Sequence, residues 1–437
     1  MQSNCFRDFA IYASLNVMGM IGLSCYILAD TFFVSKGLGT NGLAALNLAI
    51  PIYSFIHGSG LMIGMGGGTK YSIQKSRQDH AAANRTFTNA LYLAAAFAAM
   101  FVLVGLFLSG SIASLFGAEG KVFAMSKTYL QVILLFAPAF LLNNVLLCFV
   151  RNDGAPQLSM AAMIGGSLSN VVLDWVFIFP CQMGIFGAVF ATGLAPMISI
   201  LILSPHFIRK NNQFHITACR PDGRLFRGIL SSGVPSLVTE VSSGVVIIVF
   251  NAIILRLEGN VGVAAYGVIA NLSLVVVAIY TGIAQGIQPI VSRSHGMQDH
   301  RTINATLRYA LAAMLLFSAA IYAGVFFGAP QITGIFNSEQ DATLQRIATQ
   351  GLRLYFTACP FAGFNIILSM YFTSTEHPRP AHIISILRGF LVIIPMAFLL
   401  SRLWNIRGVW CAFPATELLV AGVGLFYFLL KNRKLQK

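Results

Sequence analysis

Apolar residues run along this chain in blocks of about twenty, and short polar segments separate the blocks. Leu91–Leu108, Tyr129–Val150 and Leu387–Leu403 are examples. An α-helix needs about 20 residues to cross a bilayer core of about 30 Å, so each block predicts a membrane span. The pattern predicts twelve spans, near 11–34, 42–68, 87–115, 123–150, 156–180, 184–208, 228–256, 262–292, 305–335, 346–373, 380–403 and 407–430.

Composition supports this interpretation. Of 437 residues, 57% are hydrophobic and only 10% are charged, and the mean hydropathy is +0.76. Fourteen acidic residues cannot supply the charged exterior that a soluble protein of this size needs. The fold class that we expect is therefore an all-α polytopic membrane protein.

The net charge of +14 is distributed unevenly along the chain. Lys and Arg collect in alternate loops, which is the pattern that orients a membrane protein with its basic loops inside. It places the chain in the inner membrane, with both termini and the 209–227 loop in the cytoplasm. The same distribution argues against a nucleic-acid partner. The cations of these loops include Lys70, Lys75, Arg77, Arg85, Arg151, Arg209, Lys210, Arg220, Arg224, Arg227, Arg293, Arg301, Arg379 and those of the tail "KNRKLQK".

The chain repeats itself at a nearly constant distance. "GLAALNLAIP" at 42–51 resembles "GVAAYGVIAN" at 262–271, and "QDH" at 78–80 recurs at 298–300, both 220 residues later. We predict an N-lobe at 1–215, a cytoplasmic linker at 216–227 and a C-lobe at 228–437. Six spans per half give both halves the same orientation, so the repeats are parallel and are expected to face each other across a central cleft. This architecture is typical of alternating access, and a channel or receptor would not need the duplication.

Prolines within the spans predict kinks whose freed carbonyl groups could line a cavity, although a tolerated packing feature is an equal alternative. The positions are Pro138, Pro235, Pro289, Pro360, Pro395 and Pro414.

Two acidic residues stand deep in spans of the N-lobe. Asp174 belongs to the apolar stretch "NVVLDWVFIF", where Asn170 lies four residues earlier on the same helical face. Asp30 has a similar depth in the first span, and no Lys or Arg occurs nearby in the first six spans. Charged groups inside a membrane are expensive, so such a pair is expected to hold a proton near neutral pH or to capture a cation such as Na⁺. Structural hydrogen bonding is the alternative.

The C-lobe carries a different set of deep charges, namely Glu240, Arg388 and Glu417. An arginine with two available carboxylates could form a neutralised cluster. A structural ion pair that locks these spans together explains the set equally well, because buried charges need partners whatever their function.

Enzymatic motifs do not occur in the spans. HExxH, GxSxG and paired HxxxH patterns are missing, and the isolated His57 is more typical of a packed or pore-lining residue than of a metal ligand. The seven cysteines form no CxxC pair and fit small buried residues better than disulfides or a metal site. We therefore expect no enzyme and no cofactor beyond a coupling ion.

Several strings resemble the multidrug and toxic compound extrusion (MATE) transporters, in particular the bacterial MepA-like branch. In the first half these are "ADTFFVSKGLGTNGLAALNLAIP", "CFVRNDGAPQLSMAAMIGGSLSNVVLDWVFIF" and "GIFGAVFAT", and in the second half "GIAQGIQPIVSRSHG" and "RGFLVIIP". The resemblance covers almost the whole chain. It implies export of lipophilic, mostly cationic organic compounds in exchange for inward H⁺ or Na⁺, by a protein that we expect to be a monomer in the lipid bilayer.

The resemblance also assigns residues. The family's N-lobe cation site falls on Asp30, Asn170 and Asp174, with Tyr26 one helical turn before Asp30. Two further residues match less specifically and could be ordinary packing residues with satisfied hydroxyl groups, namely Thr192 and Tyr129. Arg151 in "RNDG" also matches, but a role in loop structure and topology is the better interpretation at a cytoplasmic helix end.

The second lobe departs from the family pattern. Some members carry an acidic pair there, with one partner in span seven and one in span ten. Glu240 matches the first position loosely, whereas span ten offers only Asn365. The alternative cargo within the same superfamily is a lipid-linked saccharide precursor, moved by a flippase. That activity would call for a strongly cationic cleft, and Arg388 is the only deep cation in the sequence.

Overall fold

A computed structural model of the chain describes residues 5–337 and 341–435. The first four residues of the predicted N-lobe, residues 338–340 and the last two residues of the basic tail lie outside this range. Within it the chain forms twelve spans, as the sequence predicts. They are 5–38, 40–76, His80–Phe107, 120–152, Pro156–Ile178, Gly184–Ile208, 223–258, 260–296, His300–Phe336, 342–374, 378–403 and 406–435.

Three pairs of these spans are joined without a loop. The helices Cys5–Ser76, Gly223–Gly296 and Ile393–Leu435 each continue through a sharp reversal. Gly39 and Gly259 make two of the reversals with φ angles of 66° and 65°, a conformation that glycine adopts without a steric penalty. Because of this merging, the described residues contain eight continuous helices that are long and apolar enough to cross a membrane, or nine with the bent pair at 120–152.

The repeat is visible in the backbone as well as in the sequence. Residues with positive φ recur at nearly the predicted offset of 220 residues. The third reversal, at Asn405, has its counterpart in the turn at Gln182. The matched pairs are Gly39 with Gly259, Gln78 with Gln298, Gly154 with Glu376, and Gln182 with Asn405.

Two of the predicted proline kinks are confirmed. The helices Gly120–Leu135 and Ala137–Asn152 meet at a bend of 46°, next to Pro138. In the second half, the helices Ala342–Tyr355 and Cys359–Ser374 are separated by a 3₁₀ turn, Phe356–Ala358, next to Pro360. Proline lacks the N–H group that would continue the helical hydrogen bonds, which explains both breaks. A π-helical turn over Leu387–Leu391 interrupts span eleven after the short helix Pro378–Ile386.

Several predicted boundaries differ from the observed helix ends, and two of them have a local cause. The third span was expected to reach residue 115, but it ends at Phe107, and Ser109–Leu115 forms a separate short helix. The sequence Ser-Gly-Ser at 109–111 has low helix propensity, which explains the interruption. The long helix Gly223–Gly296 begins inside the predicted linker, because the carboxylate of Asp222 caps it by accepting bonds from the N–H groups of Arg224 and Leu225 at 2.8 and 3.3 Å.

The chain divides into two compact units that interleave along the sequence. The first unit comprises residues 1–13, 242–288 and 301–437, and the second comprises 14–241 and 289–300. We name them unit C and unit N for the half that supplies most of each. The hydrophobic core of unit N extends from Val34 to Ile229. Unit C contains stacked rings, such as Tyr355 on Phe413 with centroids 4.6 Å apart. The lobe boundaries that we derived from the repeat stay a prediction.

Candidate functional site

Asp30 and Asp174 meet in unit N although 144 positions separate them in the sequence. Span one supplies Asp30 and span five supplies Asp174, and the two carboxyl groups are close enough to share a hydrogen bond. Both are buried, with 7% of Asp30 and 0% of Asp174 exposed. One oxygen of each, Oδ1, has no hydrogen-bond partner. We call this arrangement the carboxyl pair.

No cationic side chain of residues 5–337 and 341–431 neutralises the carboxyl pair. The charged neighbour of each carboxyl group is the other carboxyl group, and no Lys or Arg forms an ion pair with either in the described ranges. Two carboxylates at such close range cannot both carry a charge in a medium of low dielectric constant unless something compensates them. A shared proton or a small cation fulfils that requirement.

Asn170 connects the carboxyl pair to span six. Its side chain is fully buried between Asp174 and Thr192. In the amide orientation that satisfies both ends, Nδ2 donates to Oδ2 of Asp174 at 3.0 Å and Oδ1 accepts from the backbone N–H of Thr192 at 3.2 Å. The opposite orientation leaves a weak contact of 3.5 Å from Nδ2 to the hydroxyl oxygen of Thr192. The first orientation suits an ionised Asp174, because it offers the carboxylate a donor.

Hydroxyl groups complete the surroundings of the carboxyl pair. Thr192 donates to the carbonyl of Ala188 at 3.1 Å, and the phenol of Tyr129 contacts Thr192. Pro196 has no N–H group to offer the carbonyl of Thr192, so the span-six helix lacks one hydrogen bond beside the site. Tyr26 lies one turn before Asp30, and its hydroxyl is 2.6 Å from that of Tyr53. All five residues that the sequence assigns to cation coupling, together with Tyr129, are thus collected in one place.

Glu240 is placed differently from the expectation of a three-residue cluster with Arg388 and Glu417. It belongs to unit N, where it interacts electrostatically with His57 and Tyr53. Span seven packs closely on span two here, since a Cβ atom at Gly58 would be 3.1 Å from the Cβ of Glu240. The loose family match of Glu240 therefore corresponds to a position beside span two.

Arg388, Glu417 and Asn365 form one cluster in unit C. The guanidinium of Arg388 donates to Oε1 of Glu417 from Nε at 3.1 Å and from Nη2 at 2.8 Å. Asn365 donates from Nδ2 to Oε2 of Glu417 at 2.7 Å and to its backbone carbonyl at 2.9 Å. Glu417 is 1% exposed and Asn365 is fully buried. Both carboxylate oxygens of Glu417 are therefore compensated by protein groups.

The sequence analysis missed two polar centres. No feature of the sequence distinguishes Tyr53, because a single tyrosine in an apolar span resembles any packing residue. Asp153 was also missed, although its buried carboxylate accepts bonds from Lys75 at 2.7 Å, from His206 at 2.9 Å and from the backbone N–H of Gln213 at 2.9 Å, and from the phenol of Tyr71. These partners are distant in sequence, so no local pattern could have indicated them. Arg151, the neighbouring candidate, is buried and donates to Asn16 at 2.7 Å.

Comparison with known proteins gives a consistent result. The sequence profile of the MatE family matches residues 17–176 and 235–399. Multidrug export protein MepA of Staphylococcus saprophyticus is 26% identical over 435 residues, which cover 99% of this chain and 95% of that protein. MepA of Staphylococcus aureus is 25% identical over the same length and coverage.

Solved structures share the fold. A crystal structure of MATE in complex with MaL6 superposes with a TM-score of 0.93 at 23% sequence identity, covering 100% of this chain and 98% of the other. A MOP superfamily transporter from Pyrococcus furiosus superposes with a TM-score of 0.91 at 23% identity, with the same coverage. An outward-facing multidrug resistance MATE transporter also gives 0.91 at 23% identity, covering 100% of this chain and 97% of the other.

Proposed function

Because the chain belongs to the MatE family of multidrug efflux transporters, we propose that it exports lipophilic, mostly cationic organic compounds in exchange for H⁺ or Na⁺ entering the cell. The observation that carries the exchange half of this proposal is the carboxyl pair. It is buried, it has no fixed counter-ion, and each carboxyl group keeps an oxygen without a hydrogen-bond partner.

The donor set of the carboxyl pair suits a small hard cation as well as a proton. Carboxylate, amide and hydroxyl oxygens are the ligands that such cations prefer, and Asp30, Asp174, Asn170 and Thr192 offer all three kinds. The amide of Asn170 fits both states. With Nδ2 toward Asp174 it stabilises the charged carboxylate, and after a half-turn its oxygen can coordinate Na⁺ or accept a bond from a protonated Asp174.

Exchange follows from competition for charge. Organic cargo that carries a positive charge is stabilised by an ionised carboxyl pair, and H⁺ or Na⁺ at the pair removes that attraction. A membrane potential of 100 mV contributes about 2.3 kcal/mol for each charge moving inward. This contribution is zero when one ion enters for each monovalent cation that leaves, because no net charge then crosses the membrane and the concentration gradient of the ion drives export. A neutral cargo, or a second entering ion, adds the potential, which corresponds to a concentration ratio of about several tens. The two parallel repeats are the architecture with which we expect alternating access to occur.

The flippase alternative receives no support from Arg388. A lipid-linked pyrophosphate needs cationic groups that are available to bind it, whereas the guanidinium of Arg388 is already engaged by Glu417. For location, we propose an inner-membrane monomer with both termini in the cytoplasm, on the basis of the alternating basic loops.

Transport by reconstituted vesicles tests this proposal. We expect a gradient of H⁺ or of Na⁺, imposed separately across the vesicle membrane, to drive accumulation of ethidium in the direction opposite to the ion. Vesicles that lack the protein and are treated identically are the control. If neither gradient moves ethidium while the protein is folded and correctly inserted, the exchange function is wrong.

A further inference from the structure

A hydrogen bond between Tyr26 and Tyr53 connects the surroundings of the carboxyl pair to span two. The two hydroxyl oxygens are 2.6 Å apart, and they join span one to span two. Tyr26 stands four residues before Asp30, so the phenol and the carboxyl group share one helical face. Both hydroxyl groups lie within electrostatic range of Asp30. The charge of Asp30 therefore acts on this hydrogen bond directly.

Tyr53 is held tightly on its other side. Its ring stacks on His57 with centroids 5.8 Å apart and planes only 10° from parallel. The edge of Phe140 from span four packs against it at 5.6 Å. His57 in turn lies 3.3 Å from the amide of Asn144, measured from Nδ1 to Nδ2. Tyr53 thus contacts side chains of spans two and four.

Span seven reaches the same place. Glu240 interacts with both His57 and Tyr53, next to the close packing of Gly58 on Leu237. The titratable groups that surround Tyr53 are thus Tyr26 and Asp30 from span one, His57 from its own span, Tyr129 from span four, and Glu240 from span seven. Tyr53 is the residue that connects the carboxyl pair with His57 and Glu240.

We propose that Tyr53 is a positioning residue. Through its hydroxyl bond to Tyr26, it couples the binding of H⁺ or Na⁺ at the carboxyl pair to the position of span two and of its neighbours His57 and Glu240. Either hydroxyl can be the donor. An ionised Asp30 attracts hydroxyl protons and favours one direction of the bond, and this preference disappears when H⁺ or Na⁺ neutralises Asp30. Neutralisation thereby weakens the hold of span one on span two. This inference rests on the proposed exchange function.

The test measures thermodynamic coupling and not binding alone. The dissociation constant of ethidium is determined for the purified full-length protein at alkaline pH without Na⁺, and again after acidification or after addition of Na⁺. The ratio of the two constants is the coupling factor, which is typically about 5- to 150-fold for linked sites. Tyr53→Phe removes the hydroxyl but keeps the ring between His57 and Phe140. We expect it to lower the coupling factor about two- to tenfold, the worth of one net hydrogen bond, mainly by weakening ethidium binding at alkaline pH, where Asp30 is ionised and the wild-type bond is strongest.

Two further variants make the test specific. Tyr26→Phe removes the same hydrogen bond from the other side, so the double variant should lose no more coupling than either single variant. Tyr280→Phe is the matched control, because Tyr280 forms a hydroxyl–hydroxyl bond of 2.7 Å with Ser318 in unit C. It should leave the coupling factor at the wild-type value. If one Tyr→Phe protein does not fold, the other still reports on the same bond.

This inference is wrong if the wild-type protein shows coupling and neither Tyr26→Phe nor Tyr53→Phe lowers the coupling factor. Losses that simply add in the double variant would overturn it as well, since the two hydroxyls would then act separately. A wild-type protein that shows no coupling with either ion would instead contradict the proposed exchange function, so the two failures are distinguishable.

Discussion

Both compact units bury carboxylate oxygens within the membrane spans, but the neighbours of those oxygens differ. In unit N, Asp30 and Asp174 face each other, and no Lys or Arg of the described part of the chain forms an ion pair with them. In unit C, Glu417 faces the guanidinium of Arg388 at 2.8 Å, and Asn365 occupies its second oxygen. The carboxyl pair requires a positive charge from outside the protein, whereas the charge of Glu417 is balanced by Arg388.

Under the proposed function, this difference gives the two units different tasks. An ion that must enter and leave needs a site whose charge is compensated only while the ion is bound. A fixed arginine cannot leave, so the Arg388–Glu417 pair holds spans eleven and twelve together whatever ion is present. Among the described residues, the exchangeable charge of the proposed mechanism therefore belongs to unit N.

The largest effect is expected from Asp174→Asn. It keeps the shape of the side chain but removes the charge that H⁺ or Na⁺ must neutralise, so ion-driven ethidium transport in vesicles should fall by at least about a hundredfold, as for loss of an essential charged group. Folding should persist, because the removed charge had no ion-pair partner. Asp222→Asn is the matched control, since Asn caps a helix as well as Asp and Asp222 lies in the linker. Normal transport by Asp174→Asn would refute the assignment of coupling to the carboxyl pair.

Breaking the ion pair of unit C should mainly affect stability. Glu417→Gln leaves the guanidinium of Arg388 without a compensating charge, at a cost of about 3 kcal/mol in the free energy of unfolding. The double variant Arg388→Gln/Glu417→Gln removes both charges and should recover most of that loss. Thermal unfolding in detergent measures the stabilities, and vesicle transport measures coupling. If the double variant folds but an ion gradient no longer drives ethidium transport by it, unit C takes part in coupling. The proposed difference between the two units is then wrong.

The smallest effects are expected where the two repeats are alike. A Cβ atom at Gly66 would lie 2.0 Å from the carbonyl oxygen of Ile229, and one at Gly286, 220 residues later, would lie 2.6 Å from the Cα of Ala13. Replacing either glycine by alanine should destabilise the protein by about 1–3 kcal/mol through overpacking.

Gly267→Ala is the control for these two variants. No atom lies within 4 Å of its built Cβ, and alanine favours a helix interior, so the unfolding temperature should stay the same or rise slightly. If Gly66→Ala is destabilising and Gly286→Ala is neutral, close helix crossing is not a shared property of the repeats, and the units differ in packing as well as in charge.

Much of the fold could be predicted from the sequence because it depends on local properties. Span length follows from the number of consecutive apolar residues, and the kinks at Pro138 and Pro360 follow from the missing N–H group of proline. The repeat was readable from strings such as "QDH". The span boundaries were less predictable, since helices such as Gly223–Gly296 continue beyond the apolar run into capped polar segments.

The candidate site was predictable in its members and not in its contacts. The cost of a charge in the bilayer singled out Asp30, Asp174 and Glu417, and helical spacing added Asn170. The sequence by itself thus determined the number of spans, the duplication and the charges deep within the spans, but not the buried carboxylate of Asp153. Only the tertiary structure decided that Asp30 meets Asp174, that Arg388 pairs with Glu417 while Glu240 lies beside His57, and that Tyr53 connects to Tyr26. The rotation of each helix about its axis sets these contacts, and that rotation results from packing against all neighbouring helices at once.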